Sequence, residues 1–465
     1  MKQGWLERML EAVADRGREL LKLEPGSRQA RDPAALCRQL LSGRGEASAI
    51  ALARAVLQLY ASYGAEQRLA FFHLLLQEFG PDLEHMQAAM EQYTRTRNQD
   101  DLVRLNAAVE PPRQELFRRL NTAPSGTASL VAMRANLLEL QREHPELGAV
   151  DADLRHLLSS WFNRGFLQMR AIDWRSPAQV LEKLINYEAV HEIQGWEDLH
   201  RRLMADRRCF AFFHPAMPDE PLIFVEVALV QGVSEHVQPL LDPDAPMLEP
   251  SQADTAVFYS INNTQAGLRG ISFGNFLIKQ VVTELRSELP GLRHFATLSP
   301  MPRFASVLRA AWGGEDQELS QERLAALLAR HGEALCAAAG ADDPVQAFRQ
   351  LLEGHPEQHA QVLSEPLIEV ALAYLTTPRA RNGLIDPVAS FHLANGARLE
   401  RINPFADLSG RGTQTSFGTM VNYLYVPEEV EANHERFVGA GELILSKPLQ
   451  RLRRRLDESR AQAAG

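Results

Sequence analysis

In the first third of the chain, apolar residues recur with helical spacing, and Pro and Gly fall between the runs rather than within them. The pattern predicts amphipathic helices over 5–23, 33–41, 47–63, 65–78, 81–93, 102–109, 113–120, 126–142 and 151–163. Pro33, Pro81 and Pro112 stand at helix starts, where a missing N–H leaves nothing unbonded, and Gly80 stands at a stop. Leu69, Phe72, Leu75, Leu76 and Phe79 share one helix face and read as bundle core. No fixed-period repeat of the solenoid kind is present. This half shows no catalytic constellation. It reads as a helical bundle, residues 1–168, for assembly or for shaping a cleft.

The period then changes. A connector of helices over 170–206 gives way to strands at 209–214 and 222–230, joined as a hairpin by a turn-rich segment. Residues 255–261, β-branched and aromatic, read as a buried strand. A polar loop with Gly267, Gly270 and Gly274 follows. Asn275 then caps a helix whose apolar stripe is Phe276, Leu277, Ile278, Val281, Val282 and Leu285. The next strand, 294–298, ends at Ser299. A glycine loop running into a helix N-terminus points free N–H groups and the positive end of the helix dipole at an anion. The same loop spells Gly-x-Ser-x-Gly at 270–274, and Ser272, Asp386 and His392 follow the chain order of a hydrolase triad. Against a nucleophile elbow, a polar loop separates Ser272 from its strand, and Asp386 and His392 are close together in sequence.

Residues 303–379 read as a helical, acidic insertion lying over the sheet. Asp386 caps a short helix with Pro387 at its first position, and Asn395-Gly396 ends it. His392 therefore falls in the last turn, where the helix dipole is expected to raise its pKa. Further strands are expected at 398–403 and 420–426, and a closing helix from about 440 through 460. Residues 408–412 read either as a substrate-side loop or as an ordinary glycine turn. The fold class is α+β, with 169–465 forming the second domain.

Composition narrows the function classes. The 465 residues are 45% hydrophobic and 23% charged, ordinary for a globular protein with more than one core. A net charge of -10 argues against a general nucleic-acid binder. The one dense basic run, Arg451 with Arg453, Arg454 and Arg455, reads as a solvated helix face. Cys37, Cys209 and Cys336 are scattered and lack metal-ligand spacing, so neither a disulfide framework nor a cysteine zinc site is expected, and a reducing cytoplasm is. The N-terminus enters a charged amphipathic helix rather than a signal core, and no apolar run reaches membrane-spanning length.

Three blocks carry a family resemblance. They are Tyr259-Ser260-Ile261 with Thr264-Gln265, Gly267-Leu268, Gly270, Gly274 and Phe276-Leu277-Ile278-Lys279; Leu298-Ser299-Pro300-Met301-Pro302; and the run 386–397, Asp386-Pro387-Val388-Ala389-Ser390-Phe391-His392-Leu393-Ala394-Asn395-Gly396-Ala397. Together they resemble the malonyl-coenzyme A decarboxylases over nearly the whole chain. The resemblance implies a catalytic domain like the GCN5-related N-acetyltransferase fold. It also implies conversion of malonyl-CoA to acetyl-CoA and carbon dioxide without a metal or prosthetic group, in a homo-oligomer such as a tetramer. It assigns coenzyme binding to Arg269, Gly270, Ile271, Ser272, Phe273, Gly274 and Asn275, contact with the malonyl group to Ser299, and proton donation to C2 to His392. Animal members carry Glu at the position of Ser272 and Gln at that of Arg269. The backbone role of the glycines therefore carries over, and a carboxylate role does not. The peroxisomal address of some relatives is not matched by the final Gln462-Ala463-Ala464-Gly465. Rival readings are an acyl-CoA-dependent acyltransferase, a thioesterase built on Ser272 and a non-catalytic acyl-CoA sensor.

Overall fold

A computed structural model describes residues 5–21, 31–43, 45–271, 277–315, 319–378 and 384–463. The chain divides into two compact units. The first takes in Met1–Gln168, Phe213–Leu222 and Asn263–Gly274; the second takes in Met169–Phe212, Ile223–Asn262 and Asn275–Gly465.

In the first unit every helix expected from the periodicity forms, and side-chain caps set the starts of three of them. Asp82 accepts from the N–H groups of Glu84 and His85, so one helix spans Leu83–Thr96 and starts two residues after Pro81. Asn98 accepts from Asp101 N, which moves the next helix start forward to give Gln99–Val109. Of the predicted stripe Phe72, Leu75 and Phe79 are buried, together with Phe71, while Leu69 and Leu76 are half-buried.

The second unit is built on a mixed sheet, β1 (Gln168–Ile172), β2 (Arg207–Phe213), β3 (Ile223–Val230), β4 (Thr255–Asn263), β5 (His294–Thr297), β6 (Ser299–Pro300), β7 (Arg398–Asn403) and β8 (Met420–Tyr425). The order is β1-β2-β3-β4-β5-β8-β6, with β7 paired to β8. β4 and β5 are parallel because the helix Leu277–Glu288 returns the chain between them, whereas β8 runs antiparallel to β5, β6 and β7. The β4–β5 ladder ends at Phe258 opposite Thr297, with Leu298 N donating to Phe258 O at 3.0 Å. Beyond that point Ser299 pairs with Val421 of β8, while β4 runs on to Asn263. Ser299 thus stands where two parallel strands part.

Alternation along the strand decides what each side sees. Leu298 packs with Val257, Tyr259 and Met420 in an apolar cluster, so Thr297 and Ser299 on either side of it point to the opposite face.

Three sequence expectations change here. The segment starting at 170 contributes β1 before its helices begin. Residues 408–412 are not a loop throughout, since Ser409 accepts from Gly412 N and caps the helix Gly410–Ser416. The closing helix starts later than expected, at Lys447–Ala463, and an unpredicted helix, Val430–Ala440, precedes it and stops where Gly441 takes a left-handed conformation.

Gly396 shows how tightly the helix Pro387–Ala394 is closed off. Its φ is +83°, and an added Cβ would lie 2.0 Å from the carbonyl oxygen of Val430. Gly396→Ala is expected to destabilise the protein by more than the ~1–2 kcal/mol of left-handed strain alone. Denaturant unfolding checks this; a wild-type midpoint would show that the backbone there can relax.

Candidate active site

His392 enters the site from the last turn of the helix Pro387–Ala394, which Asp386 fixes in place. The Asp386 carboxylate accepts from Ala389 N at 2.8 Å and from the Tyr374 hydroxyl at 2.8 Å. Burial pushes its pKa up. Asp386 therefore caps the helix rather than orienting the imidazole, and the hydrolase-like order of Asp386 and His392 does not become a triad.

The imidazole is held by the sheet instead. His392 Nδ1 lies 2.8 Å from the Tyr425 hydroxyl and Nε2 lies 3.1 Å from Ser299 Oγ. The ring stacks on Tyr423, with centroids 4.6 Å apart. Ser299 Oγ donates to Thr297 Oγ1 at 2.9 Å. With the serine proton directed at Thr297, Nε2 carries the ring proton and Nδ1 accepts from the phenol. Burial holds the Tyr425 phenol well above its ordinary pKa, so it keeps that proton. Thr297 is anchored in turn, for its hydroxyl accepts from Tyr423 N at 3.2 Å and its carbonyl from Asn422 Nδ2 at 2.8 Å. Within this cluster the buried Tyr423 hydroxyl has no hydrogen-bond partner among the described residues.

Burial also reverses the expected charge of His392. At 2% exposure the ring loses the hydration that an imidazolium needs, and its pKa falls to about 3. The helix dipole argues for a raised pKa, but desolvation outweighs it. The resting imidazole is neutral.

The remaining predicted residues lie elsewhere in the chain. Arg269 (φ -56°, ψ 131°) and Gly270 (φ +76°) form a type II turn closed by Ile271 N to Leu268 O at 3.0 Å, and that geometry calls for glycine at its third position. Ser272, Phe273, Gly274 and Asn275 lie outside the described residues. Sequence reasoning missed what holds this turn, which is Arg134 of the helix Gly126–Leu140. Its Nη1 donates to the carbonyls of Gly267 at 2.7 Å and Arg269 at 2.9 Å, and its Nε donates to Asp151 at 2.7 Å. Gly267 sits so close to that helix that a Cβ would lie 1.9 Å from Val131 O. The segment 408–412 lines a cavity of about 640 Å³ together with His191 and Asp407; neither Ser299 nor His392 lines it.

Comparison with known proteins gives the family. The family model "Malonyl-CoA decarboxylase C-terminal domain" matches residues 165–463, and "Malonyl-CoA decarboxylase N-terminal domain" matches 79–162. The rat protein "Malonyl-CoA decarboxylase, mitochondrial" is 35% identical over 404 residues, covering 83% of this chain and 81% of the relative. The chain belongs to the malonyl-CoA decarboxylase family. Solved malonyl-CoA decarboxylase structures agree. That from Rhodopseudomonas palustris aligns with a TM-score of 0.82 at 44% identity, covering 91% of this chain and 99% of the other. That from Agrobacterium vitis aligns at 0.78 and 45%, covering 90% and 99%. Members of the family are carboxy-lyases, and the α+β class expected from the sequence holds. No helix among the described residues is long and apolar enough to cross a membrane.

Removing the Arg134 fork leaves Asp151 and two carbonyls without their donor. Arg134→Met is expected to cost about 3–5 kcal/mol, the range for breaking a buried ion pair by deleting one partner. Urea unfolding of the purified variant measures it, and a loss below 1 kcal/mol (roughly the scale of an exposed pair) would mean that water replaces the fork.

Proposed function

We propose that the chain decarboxylates malonyl-CoA to acetyl-CoA, with the malonyl group bound at Ser299 and with His392 and Tyr425 supplying the proton to C2. The observation that carries this reading is the buried run Tyr425 hydroxyl, His392, Ser299 at the point where β4 and β5 part. Open α/β sheets bind ligands where strands part at their carboxyl ends, which supports placing the acyl group there. Arg269 to Asn275 bind the coenzyme in this reading.

The electron flow is simple to balance. Breaking the bond from C2 to the carboxylate leaves its electron pair in an enolate, with the thioester carbonyl as the electron sink, so no metal or prosthetic group is required. The unpartnered Tyr423 hydroxyl is the available donor for the enolate oxygen. His392 gives its Nε2 proton to C2 while the Tyr425 proton moves to Nδ1. The negative charge thus passes from carboxylate to enolate to phenolate, and solvent returns one proton as the product leaves. Ser299 fixes the malonyl group against the imidazole.

The reading also includes a reducing cytoplasm, supported by the free, buried thiols of Cys37 and Cys209. It includes assembly into a homo-oligomer, supported by the exposed apolar side chains of Leu83, Met90 and Val103 on the helices Leu83–Thr96 and Gln99–Val109.

One incubation with malonyl-CoA tests the reaction against its rivals when carbon dioxide, free thiol and acetyl-CoA are measured together. Equal amounts of carbon dioxide and acetyl-CoA are expected, with one deuterium per acetyl methyl in deuterated water. Free thiol instead would mean a hydrolase, and binding without turnover a sensor. Ser299→Ala, His392→Asn and Tyr425→Phe should each lower kcat, the last two by roughly the 10² to 10⁴ of lost general acid-base catalysis. Coenzyme affinity should be retained in all three.

The pH profile tests the neutral donor separately. His392 binds a proton only near pH 3, so kcat/KM is expected to show no step from this residue between about pH 5 and 8. A falling limb centred near the ordinary histidine pKa of about 6.5, and lost in His392→Asn, would restore the imidazolium mechanism.

A further inference from the structure

A group of metal-ligating side chains lies in the helical unit, which the reaction chemistry leaves unused. His73 projects from the helix Ala65–Gln77, while His144 and Glu146 flank and occupy the short 3-10 turn Pro145–Leu147. Among the described residues this is the one group of three that offers converging nitrogen and carboxylate ligands, with all three ligand atoms within 4.8 Å of one another. His144 Nδ1 is 3.2 Å from Glu146 Oε1, and His73 Nε2 is 3.7 Å from the same oxygen.

We propose that His73 Nε2, His144 Nδ1 and Glu146 Oε1 bind a divalent transition-metal ion of the zinc class. Two atoms each about 2.1 Å from a tetrahedral zinc lie about 3.4 Å apart, and the two measured edges bracket that value. The third edge, between the two imidazole nitrogens, is at most 4.8 Å, a gap that rotation of the partly exposed rings can close. The turn itself is fixed from beneath: Leu147 is fully buried, Leu147 N donates to His144 O at 3.1 Å, and His144 N donates to Leu140 O at 2.9 Å. The two rings stand nearly perpendicular, at 88°, with centroids 5.9 Å apart, so neither blocks the other's approach to a shared point.

The donor set selects the ion. Two imidazole nitrogens and one carboxylate oxygen suit Zn²⁺, Co²⁺, Ni²⁺ or Cu²⁺, whereas Mg²⁺ and Ca²⁺ take oxygen ligands. Coordination through His144 Nδ1 puts the ring proton on Nε2, on the side of the ring away from the ion. Three protein ligands leave a fourth position for water. The bound ion would tie the helix Ala65–Gln77 to the turn that joins Gly126–Leu140 to Gly148–Trp161.

The test uses the full chain after chelator treatment. Zn²⁺ is titrated calorimetrically into wild type, His73→Gln and Glu146→Gln, and Co²⁺ is followed by its visible absorption. Wild type is expected to take up one equivalent, with the intense Co²⁺ bands of tetrahedral geometry and a Zn²⁺-dependent rise in Tm. Each variant should bind at least tenfold more weakly and lose the Tm rise. Its Tm without metal should stay at the wild-type value, because these side chains are partly exposed. The chain holds 14 histidines, so the variants are decisive. Wild-type affinity in both variants, or no saturable uptake by wild type, overturns the site.

Discussion

An imidazole at 2% exposure must satisfy two ring nitrogens without water, and much of the second unit is arranged around that requirement. β8 presents Tyr425 to Nδ1 and lays Tyr423 against the ring, while the start of β6 presents Ser299 to Nε2 and the end of β5 holds that serine through Thr297. These partners sit on strands, whose register fixes them more closely than a loop would. The ring comes from the opposite direction on a short helix closed at both ends, by the Asp386 cap with its Tyr374 bond and by Gly396 pressed against Val430 O. Loosening either end moves the imidazole off one of its partners. A buried ring nitrogen left unpaired costs about 1–3 kcal/mol, so the two hydrogen bonds hold the geometry as well as the charge state.

The strands Thr255–Asn263 and His294–Thr297, the turn at Gly270 and the helix from Leu277 are readable in the sequence because their signals are local: β-branched runs, a glycine and an apolar helix stripe. β7 and β8 are readable for the same reason. β1 is not, since Gln168, Met169, Arg170 and Ala171 carry no apolar alternation and only Ile172 is buried. The helix Gly410–Ser416 has no apolar stripe either. Its Ser409 cap makes it, along with the packing of Asp407 against Gly412, where a Cβ would lie 2.4 Å from the carboxyl carbon. Resemblance marks Ser299 and His392 as a pair, but the partner that completes them is invisible beforehand. Tyr423 and Tyr425 alternate onto one face of β8, and nothing local says that this face meets His392. The charge of His392 is misjudged for the same reason. A helix dipole can be inferred from chain position, while burial depends on side chains far away in sequence.

Arg134 extends the point to the helical unit. The sequence shows it as a single charge within an apolar run, Leu130-Val131-Ala132-Met133-Arg134-Ala135, and that incongruity is the one signal available. Its guanidinium gathers the carbonyls of Gly267 and Arg269 and the carboxylate of Asp151. A lysine could not do the same, because one ammonium lacks the planar fork that reaches three acceptors. The segment assigned to coenzyme binding therefore takes its shape from a helix more than a hundred residues earlier. The helical half contributes more than assembly or cleft shape, and a fragment beginning near residue 170 lacks the group that holds Gly267 and Arg269.

A neutral histidine suits loss of carbon dioxide better than the imidazolium that the helix position suggests. The malonyl carboxylate carries its full charge in the ground state and gives it up as the bond breaks. A fixed cation beside it would bind the ground state more strongly than the transition state and would slow the step it was meant to assist. Hydrogen-bond donors aimed at the enolate gain strength as charge arrives there, and a water-free setting magnifies that difference. Burial that pushes His392 down to about 3 removes the unwanted cation while leaving Nε2–H in place. In the proposed mechanism the phenol at Nδ1 supplies the proton that a neutral ring could not give up alone, so no imidazolium has to form in the buried interior and the negative charge rests on the phenolate until solvent returns a proton.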